Sequence, residues 1–289
     1  MADALDAQGL EAAEVRMLIR TALHEDLRYG PDVTTVATVP ADAVTKASVI
    51  ARRPGVIAGL DVGLLVLDEV LGGGGYQVSE RVADGTVVEA GQSALTVVAP
   101  TRGLLTAERT LLNLLCHLSG IATATAAWVA AVEGTECKIR DSRKTLPGLR
   151  ALQKYAVRVG GGVNHRMGLG DAALIKDNHV VAAGSVVAAL RAVRDLRPDI
   201  ACEVEVDSLD QLDAVLDEDV ELVLLDNFPL WQTQAAVQRR NAQAPQTKLE
   251  SSGGLTLNDA AAYAATGVDY LAVGALTHSV TVLDLGLDM

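Results

Sequence analysis

The amino-acid sequence predicts an α/β protein in which a small antiparallel sheet precedes an incomplete parallel α/β barrel. Between Val78 and Val98, short apolar runs are separated by glycine turns, a pattern typical of antiparallel strands. After Gly134, six short apolar runs alternate with helical segments, and such a βα repeat indicates a parallel sheet. A closed eight-stranded barrel usually needs about 250 residues, more than the chain has after Gly134. The barrel is therefore expected to be incomplete or compact.

The first predicted elements are a helix, a β-prone segment and a second helix. Residues 10–28 place apolar side chains at helical spacing, and the turn at Gly30 and Asp32 ends the pattern. Asp32 is expected to serve as a cap or turn residue. Lys46–Ala58 is β-prone with a central break, and Leu60–Leu71 has the pattern of a helix ended by four glycines.

A long helix is predicted for residues 106–132, with Thr106 as its N-cap. We place the domain boundary in this helix. The expected domains are an N-terminal α/β domain at 1–120 and a barrel domain at 121–289, with a C-terminal tail that packs back on the first domain.

The predicted barrel elements alternate along the chain. The strands are Cys137–Arg140, Ala172–Lys176, Cys202–Val206, Leu222–Leu225, Thr247–Leu249 and Tyr270–Val273. The helices are Leu149–Val159, Ser185–Leu196, Ser208–Leu216, Pro229–Arg239 and Leu257–Thr266. In a parallel barrel, the carboxyl ends of all strands lie on one face, and active sites form there.

Composition and charge argue against several classes of function. With 289 residues, 49% of them hydrophobic, the chain can bury a substantial core. A formal net charge of −13 argues against nucleic-acid binding and against binding to an anionic membrane. The N-terminus lacks a signal-peptide pattern, so a cytoplasmic location is expected. Cys116, Cys137 and Cys202 are widely spaced in apolar surroundings, which fits neither a disulfide framework nor a zinc site.

Charge is distributed unevenly along the barrel half. Residues 138–176 hold nine Lys or Arg and two Asp, whereas residues 201–226 hold ten Asp or Glu and no Lys or Arg. Such segments suggest a site that binds a polyanion through cations and a divalent metal through carboxylates. Away from the strand ends, an uneven charge distribution over helix surfaces is the favoured interpretation.

Three acidic residues alternate along one predicted strand. The side chains of Glu203, Glu205 and Asp207 are therefore expected to point the same way, toward the barrel axis. Three buried carboxylates need cations, which Mg²⁺ or the basic residues would supply.

Glycine-containing loops at the ends of strands predict an anion site. Ser251–Gly254 and Val273–Ala275 follow the last two predicted strands, where barrels commonly bind phosphate through backbone N–H groups. Three consecutive glycines precede His165 and Arg166, which we expect to join an anion pocket because arginine binds carboxylate or phosphate through two donors.

Many motifs occur in order along nearly the whole chain. They are Glu25-Asp26-Leu27, Asp32–Thr35, Thr106–Thr110, Asn113, His117–Thr123, Arg143-Lys144-Thr145, Pro147-Gly148, Gly161-Gly162, His165-Arg166, Leu174–His179, Glu203–Glu205, Leu225–Asn227 and Glu250–Gly254. Together they resemble the quinolinate phosphoribosyltransferase family, the decarboxylating nicotinate-nucleotide pyrophosphorylases. One departure is Ser142, where the family usually has Thr, and this change retains the hydroxyl.

The resemblance implies a fold, an assembly and a reaction. The fold would be an N-terminal open-faced α/β sandwich followed by an incomplete TIM-like barrel. The assembly would be a homodimer that shares its active sites, and whether dimers assemble further is left open. The enzyme would transfer phosphoribosyl from 5-phosphoribosyl-1-diphosphate to quinolinate with decarboxylation in NAD biosynthesis, with Mg²⁺ as cofactor.

The resemblance also implies roles for individual residues. The catalytic group would be Lys144, Lys176, Glu205 and Asp226, and the last two would hold the metal directly or through substrate and water. The substrate-binding group would be Arg109 of the partner chain with Ser142, Arg143, Lys144, His165, Arg166, Lys176, Glu205, Asp226, Ser252, Gly253, Gly254, Val273, Gly274 and Ala275. From the residues alone, Arg109 is instead interpreted as a surface cation.

Other functions remain open from the residues. Lys176 ends a barrel strand, so a Schiff-base aldolase or lyase is one alternative. A phosphoribosyltransferase that acts on another base, such as nicotinate, is a second, and a non-enzymatic binding module is a third. The valine and glycine pattern before Val98 superficially resembles a lipoyl carrier, but no lysine lies at a hairpin tip.

Overall fold

The computed structural model describes residues 2–289, and these divide into two compact units. The first unit runs to residue 126 and includes residues 146–160 and 279–289, whereas the second comprises residues 127–145 and 161–278. The units are therefore built from discontinuous stretches. The contiguous domains 1–120 and 121–289 stay a prediction.

The elements run in the following order. The helices and strands before residue 132 are α1 (Ala2–Ala7), α2 (Ala12–Leu27), α3 (Val33–Thr38), β1 (Val44–Ala51), β2 (Gly55–Val56), α4 (Leu60–Leu71), β3 (Gln77–Arg81), β4 (Val87–Val88), β5 (Ser93–Pro100) and α5 (Thr101–Ala131). Those that follow are β6 (Lys138–Arg140), α6 (Arg150–Val159), β7 (Ala173–Ile175), α7 (Asp177–Ala183), α8 (Val186–Leu196), β8 (Cys202–Val206), α9 (Leu209–Leu216), β9 (Leu222–Asp226), α10 (Leu230–Gln243), β10 (Lys248–Ser252), α11 (Ala260–Ala264), β11 (Tyr270–Ala272), α12 (Ala275–His278) and β12 (Leu285–Asp288).

The first unit is built on an antiparallel sheet in the order β12-β1-β5-β3. Its central strands carry buried apolar side chains such as Val49 and Leu95. The last strand, β12, pairs with β1, a pairing that the strand predictions did not include. Asp32 accepts a hydrogen bond from the backbone of Thr35 and caps α3, which confirms its predicted capping role.

Helix α5 begins at Thr101, five residues before the predicted start, so the prediction of Thr106 as N-cap was wrong. The Thr106 hydroxyl instead donates to the carbonyl of Arg102 inside the helix. Strand β5 leads directly into the helix at Pro100, which left no loop to mark the boundary.

Helix α5 packs closely on the segment that leads into α4. Gly59 has φ +92°, and a Cβ at that position would lie 2.5 Å from Leu118 Cδ1. The Ser119 hydroxyl, fully buried on α5, accepts a hydrogen bond from the backbone N–H of Ala58 at 3.0 Å. By length and hydropathy α5 could span a membrane, but half of its most apolar window is buried in the protein. These contacts identify α5 as a core helix.

The second unit is built on a six-stranded parallel sheet in the order β6-β11-β10-β9-β8-β7. The predicted α/β class with an N-terminal sheet domain and an incomplete parallel barrel is thus confirmed, and β6 and β7 form the two edges. Ser185 and Ser208 accept hydrogen bonds from backbone N–H groups and begin α8 and α9. Because all six strands are parallel, their carboxyl ends lie on one side.

Candidate active site

A cavity of about 700 Å³ lies at the carboxyl ends of the six parallel strands in the second unit. The predicted site residues that line it are Ser142, Arg143, Lys144, His165, Arg166, Lys176, Glu205, Asp226, Ser252, Gly253, Gly254, Val273, Gly274 and Ala275. The structure therefore brings together the predicted group except for Arg109. Arg109 is exposed on α5, and its role stays a prediction that depends on a partner chain.

Two guanidinium groups form one side of the cavity. The Nε atoms of Arg143 and Arg166 are buried, and neither has a hydrogen-bond partner among residues 2–289. Arg166 donates through Nη1 to the carbonyl of Ala172 at 2.9 Å, which fixes its side chain. Burial and the neighbouring charge of Arg143 lower the pKa of Arg166. Like charges held together with unpaired donors favour an anionic ligand.

The loop after β6 carries Ser142 and Lys144 to the cavity. The Lys144 backbone N–H donates to Ser142 Oγ at 3.1 Å, and the Thr277 hydroxyl donates to the Lys144 carbonyl at 2.8 Å. A Cβ on Gly274 would lie 3.0 Å from Lys144 Cδ. Glycine at this position therefore leaves room for the lysine side chain.

An ion pair crosses the mouth of the cavity between adjacent strands. Lys176 Nζ, just past the end of β7, lies 2.5 Å from Glu205 Oε2 on β8. The Lys176 side chain is 46% exposed and that of Glu205 is 13% exposed, so a ligand can reach both groups. Asp226 ends β9 next to them and accepts a hydrogen bond from the Asn227 side chain at 2.8 Å.

Two left-handed glycines follow β10. Gly253 has φ +98° and Gly254 has φ +61°, a conformation that glycine adopts without strain. A Cβ on Gly253 would lie 2.2 Å from Asn227 Oδ1, so glycine is also needed for space. A backbone this close to a cavity can offer its N–H groups to a phosphate.

A layer of four charged or titratable side chains lies at and below the floor of the cavity, and we call it the buried layer: Arg140, His165, Glu203 and Glu250. His165 Nε2 lies 2.6 Å from Glu203 Oε2, and Arg140 Nη1 donates to Glu250 Oε2 at 2.8 Å. Burial raises the pKa of both glutamates to about 7, although the positive charge of Arg140 opposes this shift.

The prediction of three buried carboxylates on one strand was only partly right. Glu203 is buried and Glu205 is half-buried, but Asp207 is exposed and lies past the end of β8. The Asp207 backbone N–H donates to the Gln211 side chain at 3.1 Å. Asp207 is therefore part of the turn into α9 and does not line the cavity.

Two residues at the site were missing from the predicted group. The sequence predicts a strand that ends at Leu249 and thus places Glu250 in a loop, yet β10 continues to Ser252 and buries Glu250 completely. The available signals were a carboxylate directly after an apolar run and the place of Glu250 in the motif Glu250–Gly254. His278, on the short helix α12, also lines the cavity, and no pattern in the sequence distinguished it.

Two sets of side chains come into question as metal ligands. Among the residues that the structure describes, His165, Glu203 and Glu250 bring one potential ligand atom each within 4.8 Å of one another. However, His165 Nδ1 accepts from the Arg166 backbone N–H and its Nε2 bonds Glu203, so neither nitrogen is available to a metal. Glu205 and Asp226 at the cavity offer the carboxylate oxygens that Mg²⁺ prefers.

Known families and proteins match almost the whole chain. The family models for the N-terminal and C-terminal domains of quinolinate phosphoribosyl transferase match residues 32–119 and 121–288. A nicotinate-nucleotide pyrophosphorylase [carboxylating] of Mycobacterium leprae is 72% identical over 274 residues, which cover 95% of this chain and 96% of the relative. A probable enzyme of the same name from Bacillus subtilis is 36% identical, covering 96% and 93%.

Solved structures agree with the sequence matches. The crystal structure of NadC from Streptococcus pyogenes superposes with a TM-score of 0.91 at 37% identity and covers 97% of both chains. The nicotinate-nucleotide pyrophosphorylase from Francisella tularensis gives a TM-score of 0.89, also at 37% identity, and covers 96% of both chains. With both family domains matched in order and close relatives along its full length, the chain belongs to the quinolinate phosphoribosyltransferase family.

Proposed function

We propose that this protein transfers phosphoribosyl from 5-phosphoribosyl-1-diphosphate to quinolinate and removes one carboxylate. The products are nicotinate mononucleotide, pyrophosphate and CO₂, and the reaction supplies NAD biosynthesis. Family membership supports the reaction class. The observation that carries the proposal is one cavity that combines unpaired guanidinium donors, two lysines and glycine-rich strand ends.

The arginines suit a ligand with two carboxylates. Arg143 and Arg166 both line the cavity, and each has a buried Nε donor without a protein partner within the described chain, so neither guanidinium is fully compensated by the protein. Arg109 of a partner chain would complete this pocket in a homodimer. A ligand with one carboxylate, such as nicotinate, would leave part of this charge uncompensated.

The glycine loops suit the 5-phosphate of the sugar. Ser252, Gly253 and Gly254 end β10, and Gly274 follows β11 on the neighbouring strand. Backbone N–H groups at these positions would bind the phosphate at one end of the cavity. The ribose would then extend toward Glu205 and Asp226, with the diphosphate near Lys144 and Lys176.

Ribosyl transfer needs both reactants aligned and the leaving group stabilised. The sugar carbon becomes positively charged as the diphosphate departs, so carboxylates near the ribose and lysines near the diphosphate both lower the barrier. Lys176 is held by Glu205 at 2.5 Å and can move between this carboxylate and the diphosphate.

Decarboxylation follows from the chemistry of the base. Once its nitrogen is ribosylated, the positive charge of the pyridinium stabilises the electron pair that loss of CO₂ leaves on the adjacent carbon, and a proton from water then adds to that carbon. The protein then needs chiefly to orient this carboxylate and to limit its solvation. No covalent enzyme intermediate is needed in this scheme.

The donor set at the cavity fits a magnesium ion. Glu205 and Asp226 would hold Mg²⁺ directly or through substrate and water, and the ion would supply charge that neutralises the diphosphate. The surrounding side chains would bind the two anionic substrates and hold them in line.

We also propose a cytoplasmic location for the protein. The three free cysteines support it, because thiols stay reduced in the cytoplasm.

The first test uses quinolinate labelled in its 2-carboxylate, with 5-phosphoribosyl-1-diphosphate and Mg²⁺. We expect labelled CO₂ and nicotinate mononucleotide in equal amounts, with none when the diphosphate sugar is omitted. Pyrophosphate release with nicotinate but not with quinolinate would contradict the assigned substrate. Borohydride trapping at Lys176 would instead favour a Schiff-base enzyme, a role that the ion pair with Glu205 argues against.

A further inference from the structure

Both ring nitrogens of His165 form hydrogen bonds inside the protein. The backbone N–H of Arg166 donates to His165 Nδ1 at 2.8 Å. His165 Nε2 lies 2.6 Å from Glu203 Oε2. The His165 side chain is only 8% exposed and that of Glu203 is 6% exposed, so water competes little with either bond.

These two bonds determine which nitrogen carries the proton. Because Nδ1 accepts from a backbone N–H, it cannot itself be protonated. An imidazole must hold at least one proton, so the proton is on Nε2 and points at Glu203 Oε2. His165 is therefore neutral, and Glu203 Oε2 is the acceptor. The predicted place of His165 in an anion pocket therefore does not bring a positive charge with it.

The same bonds hold the backbone that carries Arg166. Asp141, which is fully buried, accepts from the His165 backbone N–H at 2.8 Å and from the Asn164 side chain at 2.5 Å. One residue later, the Arg166 backbone N–H is held by the imidazole. The imidazole is in turn held by Glu203, which lies within the buried strand β8.

Glu203 holds the imidazole directly from its Nε2 side, at 2.6 Å. The Arg140–Glu250 pair lies in the same layer, and one potential ligand atom of Glu250 is within 4.8 Å of those of His165 and Glu203. Removing the Glu203 carboxylate would leave a buried N–H donor without its partner, and the ring could then rotate away from Arg166.

We propose that Glu203 is a positioning residue that holds neutral His165 and, through it, sets the backbone of Arg166 for the carboxylates of the base. Glu203 does not touch the substrate in this scheme. Its effect on catalysis is transmitted by one side-chain hydrogen bond and one backbone hydrogen bond. The identity of the bound base rests on the proposed function, whereas the hydrogen-bond arrangement does not.

The first measurement is independent of activity. In ¹⁵N NMR spectra, His165 is assigned among the five histidines by its loss in a His165→Gln variant. We expect Nδ1 to have the shift of an unprotonated nitrogen and Nε2 that of a protonated one. Glu203→Ala should mix the tautomers or allow the ring to become cationic. A doubly protonated or Nδ1-protonated ring in the wild-type protein would overturn the proposal.

The second measurement separates positioning from a general loss of structure. Glu203→Ala should raise the KM for quinolinate by at least roughly tenfold, and leave the KM for 5-phosphoribosyl-1-diphosphate close to wild type. Glu203→Gln keeps an oxygen that can accept from Nε2–H, so its KM should return toward wild type. Glu218→Ala, which removes a surface ion pair with Arg191, is the matched control.

The outcomes distinguish the two proposals. If the wild-type protein does not form nicotinate mononucleotide, the proposed function fails, and NMR still reports on the tautomer. Equal changes in both KM values, or a Glu203→Gln variant as impaired as Glu203→Ala, would reject the positioning role. If Glu203→Ala does not fold, the glutamine variant and the wild-type tautomer still decide the matter.

Discussion

Two glutamates on the same strand show how depth changes the use of a carboxylate. Glu203 and Glu205 are two residues apart on β8, so both point to the same face. Glu205 pairs with Lys176, whose side chain is 46% exposed, whereas Glu203 pairs with His165, which is 8% exposed. Lys176 and Glu205 form the outer pair, and they can separate when a ligand binds, because the ligand and water then compensate both charges. The inner pair cannot, so it is suited to holding structure.

The comparison extends to the groups around each glutamate. The buried layer joins a second pair, in which Glu250 is fully buried and the Arg140 side chain is 17% exposed. We call Arg143, Lys144, Arg166, Lys176, Glu205 and Asp226 the cavity layer. Substitutions of the Arg140–Glu250 pair in the buried layer should mainly lower stability, and those in the cavity layer should mainly lower activity, whereas Glu203 is proposed to affect substrate binding through His165. The predictions below test this division.

The largest effect is expected for Arg140→Met, which leaves Glu250 buried without its cation. Loss of one partner of a buried pair costs about 3–5 kcal/mol. The free energy of unfolding, measured by urea denaturation, should fall by this amount. Arg191→Met removes an exposed pair with Glu218 and should cost less than about 1 kcal/mol. Equal losses for the two variants would refute the division by depth.

The next effect is expected for Arg143→Ala. This change removes a charged donor of the cavity layer, so kcat/KM for quinolinate should fall on the order of 10²-fold, or about 3 kcal/mol. Unfolding should change little, since Arg143 Nε has no hydrogen-bond partner in the described chain and its charge lies beside Arg166. Arg197→Ala, which removes an exposed arginine, is the control for both measurements. Full activity with quinolinate would exclude Arg143 from the site.

A smaller effect concerns pH and Glu250. Its pKa is raised from 4.5 to about 7, chiefly by burial and by the charge of Glu203, while the positive charge of Arg140 opposes the shift. The folded protein therefore binds the Glu250 proton more tightly than the unfolded chain does. The contribution of this proton to the free energy of unfolding is lost as pH rises from 4.5 to 7. The Glu250→Gln variant has no titrating group at this position, so its stability does not change with pH for this reason.

The stability of Glu250→Gln relative to wild type should therefore improve by about 2–3 kcal/mol across this pH range. Denaturation curves recorded between pH 4.5 and pH 7.5 would measure the change. The exposed Glu136→Gln variant should show no such trend. A relative stability of Glu250→Gln that falls with pH would reverse the assigned sign.

The smallest change in stability is expected for Glu205→Gln. The Lys176 pair is open to solvent on one side, so its removal should alter the free energy of unfolding by less than about 1 kcal/mol. Because Glu205 is proposed to act at the ribose and the metal, kcat should nevertheless fall. A Glu205→Gln variant that is strongly destabilised but retains its activity would show that Glu205 supports the fold and not the reaction.

The sequence predicted those parts of the fold that local patterns determine. All six parallel strands were predicted because each is a short apolar run between helices, and the cavity residues follow from where parallel strands end. Glu250 was missed because burial of its carboxylate depends on Arg140, 110 residues away, and no local pattern indicates that partner. The family motifs, rather than periodicity, indicated which of the polar strand ends share one site.

The pairing of β12 with β1 has a consequence for synthesis on the ribosome. Ser48 lies opposite Asp288, so one neighbour of β1 is made only after 240 further residues have been translated. Until then β1 has an open edge, which in an unfinished sheet is a template for pairing with other chains. The second unit is complete in sequence at residue 278, before this strand emerges. The antiparallel sheet is therefore protected from aggregation later than the parallel sheet, whose strands all precede β12 in the sequence.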